Sequence, residues 1–296
     1  EYAYSMGGSQ VYLEPGEEFT VMEMMEAVEI HSANDAAVAL AEKVAGSEAA
    51  FVLLMNNRAK AMGLKDTNFK DCTGLTDEGH YSTAKDIALF SAELVNKYPE
   101  ILDITTIQYK EFRPGEDHID MWNRNRLIWF YNGANGLKTG FTTAAGYCLV
   151  GSAKRDDFQL ISVVLGEPNN NTRFAETAKI LDYGFYNFES IDIIKKSDTI
   201  KSIEVKKGVS DQVDLVYAND FSYLIDKSKK DKLKIDVVTE ELLTAPVNKG
   251  DIIGYARISI DGEVIGNVNI LAANSVEKAS FFRLFFMMIK EWLTFK

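Results

Sequence analysis

The sequence predicts an α+β protein with a helical first part, an antiparallel sheet after it and a β-rich segment near the C-terminus. Capping boxes and apolar residues at helical spacing recur up to about residue 95. Apolar and polar residues then alternate between 134 and 165, and short β-segments separated by turn signals run from 191 to 273. A layer of helices on an antiparallel sheet is an α+β architecture.

The helical part opens at the capping box Thr20-Val21-Met22-Glu23, which predicts a helix that continues through Val28. Residues 2–13 alternate and contain Gly7-Gly8, which predicts a short hairpin ahead of that helix. Further helices are predicted at 36–44, 48–62 and 83–95.

The sheet is predicted from three successive strands, followed by one more helix. The strands are expected at 134–141, 146–153 and 158–165, and the helix at 172–185. We therefore predict a first domain over 1–189, a small β-domain over 190–279 and a terminal amphipathic helix over 280–296. The β-domain contains no obvious chemical residues.

The terminal segment 280–296 is mostly apolar, and Arg283, Lys290 and Thr294 lie on one side of the predicted helix. Its 17 residues are few for a bilayer span, since a span needs roughly 20. We interpret the segment as a helix that lies on a membrane surface. The alternative is a helix docked on the surface of its own protein.

Charge and composition exclude several kinds of partner. The net charge is −12, from 44 acidic and 32 basic residues, and no concentrated basic face is present. Nucleic acid is therefore not an expected partner. The two cysteines and three histidines are scattered without metal-ligand spacing, so we predict no metal site and no cofactor.

The tripeptide Lys138-Thr139-Gly140 lies near the end of a predicted strand. A lysine there places a fixed cation beside a cleft, and the threonine hydroxyl can bind a carboxylate. The glycine has no side chain, so a substrate can lie against the strand edge as an added strand. Alone, the tripeptide is a weak signal, because many chains contain it by chance.

The tripeptide Ser32-Ala33-Asn34 lies at a junction between two predicted helices. A hydroxyl beside a carboxamide can relay a proton and hold a substrate amide. The alternative is an ordinary helix N-cap, since Ser and Asn are preferred there.

Together the two tripeptides resemble the signature of penicillin-recognising serine enzymes, which runs S-x-x-K, S-x-N, K-T-G. The flanking sequences resemble the low-molecular-weight D-Ala-D-Ala carboxypeptidases of that class in particular. The matching stretches are HSANDAA at 31–37, NFKDCTGLTDEGHYSTAKD at 68–86, NRNRL at 123–127, NGLKTGFTTAAGYCLV at 135–150 and APVNKGD at 245–251. The resemblance covers essentially the whole chain and implies a penicillin-binding, β-lactamase-like fold for the first domain.

The resemblance implies an enzyme that removes the terminal D-alanine from peptidoglycan stem peptides through an acyl-enzyme. It implies β-lactams as inhibitors of the complete enzyme and a location at the outer face of the bacterial cytoplasmic membrane, which residues 280–296 would contact.

For the two arginines of the implied site, an ordinary ion pair is the alternative. The implied roles are proton relay for Ser32, substrate orientation for Asn34, electrostatic field for Lys138, carboxylate binding for Thr139, close approach of substrate for Gly140, half of an oxyanion hole for the Phe141 N–H, and carboxylate recognition for Arg173 and Arg124.

One part of the signature is not in place. In the family the S-x-x-K motif precedes S-x-N by several dozen residues, whereas 31 residues precede Ser32 here and none forms the motif. Ser82-Thr83-Ala84-Lys85 and Ser275-Val276-Glu277-Lys278 have the spacing but the wrong order. We interpret the chain as N-terminally truncated, and we expect it alone to lack carboxypeptidase activity and to form no covalent penicillin adduct.

Two other functions stay open from the sequence. A serine β-lactamase could share the fold, although secreted β-lactamases lack the trailing β-domain and the amphipathic end. A non-catalytic protein that recognises peptidoglycan or acts as a scaffold would explain an absent S-x-x-K. The intact Ser32, Asn34 and Lys138-Thr139-Gly140 count against that second alternative.

Overall fold

A computed structural model describes residues 1–113, 115 and 117–294. It divides into two compact units, Glu1–Tyr186 and Asn187–Lys296. The mixture of helices and sheets confirms the predicted α+β class.

Helices form most of the first hundred residues, as the capping signals predict. The capping box at Thr20 is present: its hydroxyl accepts the Glu23 N–H, and the Glu23 carboxylate accepts the Thr20 N–H at 2.7 Å. The helices are α1 (Val21–Glu26), which continues as a π-helical turn (Ala27–His31), α2 (Asn34–Ala45), α3 (Glu48–Ala61), α4 (Ala84–Lys97), α5 (Ile101–Thr105), α6 (Leu127–Phe130) and α7 (Asn170–Asn187).

The predicted hairpin at residues 2–13 is wrong. Apart from a 3-10 turn at Ala3–Ser5, these residues have no regular structure. The N–H groups of Val11 and Leu13 instead donate to the two carboxylate oxygens of buried Asp35, at 3.2 and 3.0 Å. Because a side chain satisfies these alternate N–H groups, the segment needs no partner strand.

The strands of the first unit form a hairpin and a separate antiparallel sheet. They are β1 (Tyr109–Phe112), β2 (Ile119–Trp122), β3 (Ala134–Gly136), β4 (Thr139–Thr142), β5 (Gly146–Arg155) and β6 (Phe158–Glu167). The first two form the hairpin, and β5 is central in the sheet, with β6 on one side and β3 and then β4 on the other.

The predicted continuous strand 134–141 is wrong at its centre. It breaks at Leu137 and Lys138, whose N–H groups both reach the carbonyl of Val150, at 2.9 and 3.2 Å. Two successive donors cannot share one acceptor in a regular ladder, since regular pairing alternates. Within the described residues β4 pairs with β5 alone and is therefore an edge strand.

The second unit is mainly β. Its elements are β7 (Phe188–Ile194), β8 (Thr199–Lys206), β9 (Gln212–Tyr217), β10 (Phe221–Asp226), β11 (Leu233–Thr239), β12 (Leu242–Thr244), β13 (Ile252–Ile260), β14 (Glu263–Ala272) and α8 (Phe281–Thr294). A six-stranded sheet runs in the order β11-β13-β14-β9-β8-β12, and β7 pairs with β10. The predicted turn at Asp261-Gly262 joins β13 to β14.

Helix α8 exposes most of the apolar side chains that are described for it. Phe281, Phe282, Phe285 and Phe286 are 52–78% exposed. The Arg283 guanidinium donates to the carbonyl of Val209 at 2.7 Å. The side chains of Lys290 and Thr294, predicted for the polar side, lie outside the described part. Among the described helices, none is long and apolar enough to cross a bilayer.

Candidate active site

A cleft of about 750 Å³ in the first unit brings the predicted site residues together. Its lining includes Ser32, Asn34, Arg124, Lys138, Thr139, Gly140, Phe141 and Arg173. Residues separated by more than a hundred positions in sequence therefore share one surface.

Ser32 ends the π-helical turn and faces Lys138. Its backbone is left-handed, with φ 62° and ψ 40°, and its N–H donates to the carbonyl of Val28 at 3.1 Å. A non-glycine residue in this region stores strain of about 1 kcal/mol or more, and such residues cluster at functional sites. The Lys138 ammonium donates a hydrogen bond to the Ser32 hydroxyl. The strained turn thus presents that hydroxyl to the cation.

Asn34 opens α2 and is held by the segment that precedes α1. Its side-chain amide donates to the carbonyl of Gly7 at 2.7 Å, and its N–H donates to that of Ser9 at 2.8 Å. Gly8 has φ 81°, and a Cβ built there would lie 2.7 Å from the Asn34 amide nitrogen. A side chain at Gly8 would therefore displace Asn34.

The alternative in which Ser32 or Asn34 is an ordinary N-cap is wrong. Ala33 occupies the N-cap of α2, and no side chain caps the helix there. Both residues line the cleft, and neither side chain caps the helix.

Lys138 lies between β3 and β4 and lines the cleft. Besides Ser32, its ammonium donates to the carbonyl of Thr139 at 3.2 Å. Burial lowers the pKa of Lys138, the Glu29 carboxylate opposes that shift, and two arginines, Arg124 and Arg173, reinforce it.

Glu29 also lines the cleft, although the sequence did not predict it as a site residue. It lies three residues before Ser32 in the same π-helical turn, and within the described residues no side-chain hydrogen bond to its carboxylate is seen. Burial raises its pKa, and the Lys138 cation opposes the rise. The available signal was a lone acidic residue in the otherwise apolar stretch between Ala27 and Ile30.

Gly140 lies in the open edge strand β4. It pairs with Cys148 of β5, and a Cβ at Gly140 would lie 3.8 Å from the Cys148 Cβ, an ordinary contact distance. The fold therefore has room for a side chain at this position. The absence of one keeps the cleft-facing strand edge clear for another chain.

Phe141 and Tyr147 both line the cleft and form an aromatic pair. Their ring centroids are 4.3 Å apart, and Phe141 is 56% exposed. The Arg173 guanidinium lies 5.4 Å from the Tyr147 ring centroid.

The two arginines are held by backbone carbonyls. Buried Arg173 donates through one Nη to the carbonyls of Gly140 and Cys148, at 3.1 and 3.3 Å. Its Nε has no hydrogen-bond partner among the residues that the structure describes. Arg124 donates through Nε to the carbonyl of His31 at 3.0 Å. Among the described residues neither forms an ion pair with a carboxylate, so the ordinary ion-pair alternative gains no support.

Neither S-x-x-K sequence lines this cleft, although Ser82 lines a neighbouring pocket that shares Gly74, Leu75 and Thr142 with it. The Ser82 hydroxyl bonds the Thr67 hydroxyl at 2.9 Å, and Lys85 lines a different pocket. The Ser275 hydroxyl accepts the Lys249 N–H in the second unit. Neither serine lines the cleft that contains Ser32.

Comparison with known proteins identifies the family. The family model of D-alanyl-D-alanine carboxypeptidases matches residues 1–169. The chain belongs to this D-alanyl-D-alanine carboxypeptidase family. A second family model, the C-terminal domain of penicillin-binding protein 5, matches residues 188–278.

Members of the carboxypeptidase family resemble the chain over most of its length. The D-alanyl-D-alanine carboxypeptidase DacF of Bacillus subtilis is 40% identical over 299 residues, which cover 100% of this chain and 76% of DacF. Penicillin-binding protein 5 of Haemophilus influenzae has a TM-score of 0.71 and 34% identity, covering 92% of this chain and 78% of its own. Penicillin-binding protein D2 of Listeria monocytogenes, solved in an ampicillin-bound form, has a TM-score of 0.54 and 35% identity, covering 60% and 72%.

Proposed function

We propose that this protein is a serine D-Ala-D-Ala carboxypeptidase that removes the terminal D-alanine from peptidoglycan stem peptides. The observation that carries the proposal is the contact between Lys138 and Ser32 beside the open edge of β4. The match to the C-terminal domain of penicillin-binding protein 5 favours a carboxypeptidase over a β-lactamase.

The geometry supports a substrate bound along β4 as an added strand. The Thr139 hydroxyl and Arg173 would hold the terminal carboxylate, and the Asn34 amide would hold a substrate amide. The Phe141 N–H would donate to the carbonyl oxygen under attack, a contribution of about 10²–10³ in rate. Lys138 would supply positive potential, which stabilises developing negative charge.

The reaction needs a serine nucleophile, which the family resemblance assigns to an S-x-x-K motif upstream of the S-x-N motif. The serine oxygen attacks the carbonyl carbon of the penultimate residue, and the motif lysine accepts its proton. Ser32 passes a proton to the amine of the departing D-alanine as the peptide bond breaks. Water then hydrolyses the ester, which releases the shortened peptide and restores the serine.

Fluorescent penicillin tests this assignment. We expect no heat-stable labelling of the 296-residue chain, because no serine of an S-x-x-K motif lines its cleft. A fusion that places the S-x-x-K segment of the family ahead of Glu1 should be labelled stoichiometrically. Replacing the motif serine of the fusion by alanine is the control and should abolish labelling.

Stoichiometric labelling of the 296-residue chain would contradict the missing-nucleophile assignment. A folded fusion, as judged by cooperative thermal unfolding, that neither takes the label nor releases D-alanine would contradict the proposed function.

We also propose that β-lactams inhibit the complete enzyme and that the protein works at the outer face of the cytoplasmic membrane, with α8 on the lipid surface. The exposed phenylalanines of α8 support this placement, because an exposed apolar patch of this kind is typical of a surface that binds a membrane or another protein. No nucleic acid partner is proposed.

Co-sedimentation with anionic lipid vesicles tests the role of α8. The double variant Phe282→Asp, Phe286→Asp should lower the partition coefficient by about tenfold or more, because each buried aromatic contributes about 1.5–3 kcal/mol. Ile252→Asp, at an exposed apolar position outside α8, is the matched control and should leave partitioning unchanged. Equal partitioning of the double variant and the unmodified chain would contradict the placement.

A further inference from the structure

A loop over residues 70–80 contributes three residues to the lining of the cleft. These residues are Thr73, Gly74 and Leu75. The loop has no regular secondary structure of its own, but its ends are fixed. Asn68 and Tyr81, which flank it, exchange backbone hydrogen bonds at 2.9 and 3.0 Å. The conformation of the cleft-lining part therefore depends on contacts made within the loop.

Asp71 supplies most of those contacts. Its Oδ1 accepts the N–H groups of Thr73 and Gly74, at 2.7 and 2.6 Å, and the Thr73 hydroxyl at 2.8 Å. The Nδ1 of His80 donates to its Oδ2 at 2.9 Å. The Asp71 and His80 side chains are only 18% and 19% exposed. Within the described part of the chain, neither of the two lines the cleft itself.

The Asp71 carboxylate depends on its donors to stay charged. Burial raises the pKa of Asp71, but hydrogen bonds from Thr73, Gly74 and His80 outweigh burial and lower it. A largely buried carboxylate that loses one donor is left partly unsatisfied, which is unfavourable. Loss of the His80 donor should therefore loosen the turn that Asp71 holds.

The loop contacts the segment that orients Asn34. A Cβ built on Gly8 would lie 3.8 Å from a methyl carbon of Leu75 and 2.7 Å from the amide nitrogen of Asn34. Both side chains therefore lie against Gly8. The Asn34 amide also donates to the carbonyl of the preceding Gly7 at 2.7 Å. A displaced Leu75 would leave this backbone, and with it the Asn34 side chain, less restrained.

We propose that Asp71 and His80 are positioning residues for the Asn34 carboxamide. Their hydrogen bonds keep Leu75 against Gly8 and so keep Asn34 in the orientation that binds a substrate amide. This inference rests on the proposed function, which assigns that amide to Asn34. The pair acts by raising the fraction of molecules in which Asn34 is correctly oriented, and the apparent affinity for substrate is proportional to that fraction.

Calorimetric binding of the peptide Nα-acetyl-L-Ala-D-Ala-D-Ala to the unmodified chain and to His80 variants tests the inference. His80→Ala should weaken binding by about three- to tenfold, because fewer molecules are then competent to bind. His80→Asn should restore most of the affinity, since its amide nitrogen occupies the place of Nδ1. His118→Ala is the matched control, at an exposed histidine that does not line the cleft, and should bind like the unmodified chain.

The same substitution in an Asn34→Ala background separates positioning from a purely structural role. There, His80→Ala should change affinity by less than about twofold, because residues that act through one another are not additive. The positioning role would be overturned, with the proposed function intact, by an equal loss in both backgrounds or by unchanged affinity of His80→Ala. Failure of His80→Asn to restore binding, or loss of cooperative thermal unfolding in His80→Ala, would overturn it as well. Failure of the unmodified chain to bind the peptide would overturn both.

Discussion

Replacing Lys138 by glutamine should weaken the binding of a D-Ala-D-Ala tripeptide to this chain by about 10- to 100-fold, because a hydrogen bond to a charged group contributes about 1.5–3 kcal/mol. The ammonium bonds the Ser32 hydroxyl and provides positive charge within the cleft. Lys154→Gln, at an exposed lysine of β5 outside the cleft, is the matched control. Calorimetry on both variants measures the effect.

The same lysine should make binding depend on pH. Burial lowers the pKa of Lys138. The lysine therefore loses its proton, and with it the positive charge that binds anions, at a pH below the usual lysine range. Affinity should therefore fall as the pH rises through that lowered pKa. Glu29 raises the pKa of Lys138 against the effects of burial, Arg124 and Arg173, so Glu29→Gln should move the fall to still lower pH.

The dissociation constant of the peptide, measured as a function of pH for the unmodified chain and for Glu29→Gln, tests this prediction. An unchanged midpoint in Glu29→Gln would show that the carboxylate does not influence Lys138. Unchanged affinity in the Lys138→Gln variant would show that Lys138 does not contribute to peptide binding.

Gly140→Ala should fold normally and still lose about 10- to 100-fold in peptide affinity, since overpacking typically costs about 1–3 kcal/mol. The added Cβ has ordinary van der Waals room beside Cys148, and Gly140 does not need a left-handed backbone. The substrate strand would meet the methyl group at the edge of β4. The effect therefore falls on binding rather than on folding.

Thermal unfolding separates the two possibilities for Gly140→Ala. The melting temperature should stay within about 2 °C of that of the unmodified chain, since surface changes are usually within about 0.5 kcal/mol. A variant with unchanged affinity would show that no peptide lies against β4. A large loss of melting temperature would show that the glycine serves the fold.

The sequence predicted the motif residues of the site because each carries its chemistry in its own side chain. Ser32 and Asn34 belong to one recognisable tripeptide and Lys138 to another. The order of the two tripeptides along the chain indicated that the fold brings them into one site. Glu29 belongs to no motif, and its proximity to Lys138 depends on the π-helical turn. Periodicity alone could not distinguish that turn from a regular helix.

The fold was predictable where local signals act alone. The capping box at Thr20 and the turn at Asp261-Gly262 were both found from the sequence. The hairpin expected at residues 2–13 failed because buried Asp35, distant in sequence, supplies the acceptors that a partner strand would have supplied. Alternation of residues cannot reveal such a long-range partner.

The edge strand β4 has a consequence for the behaviour of the protein in concentrated solution. Unpaired backbone groups attract any extended chain, including the corresponding strand of another copy. Here the strand has only four residues, and the break at Leu137 and Lys138 interrupts regular pairing before it. A short edge beside a cationic break can receive a peptide tail while offering little to self-association.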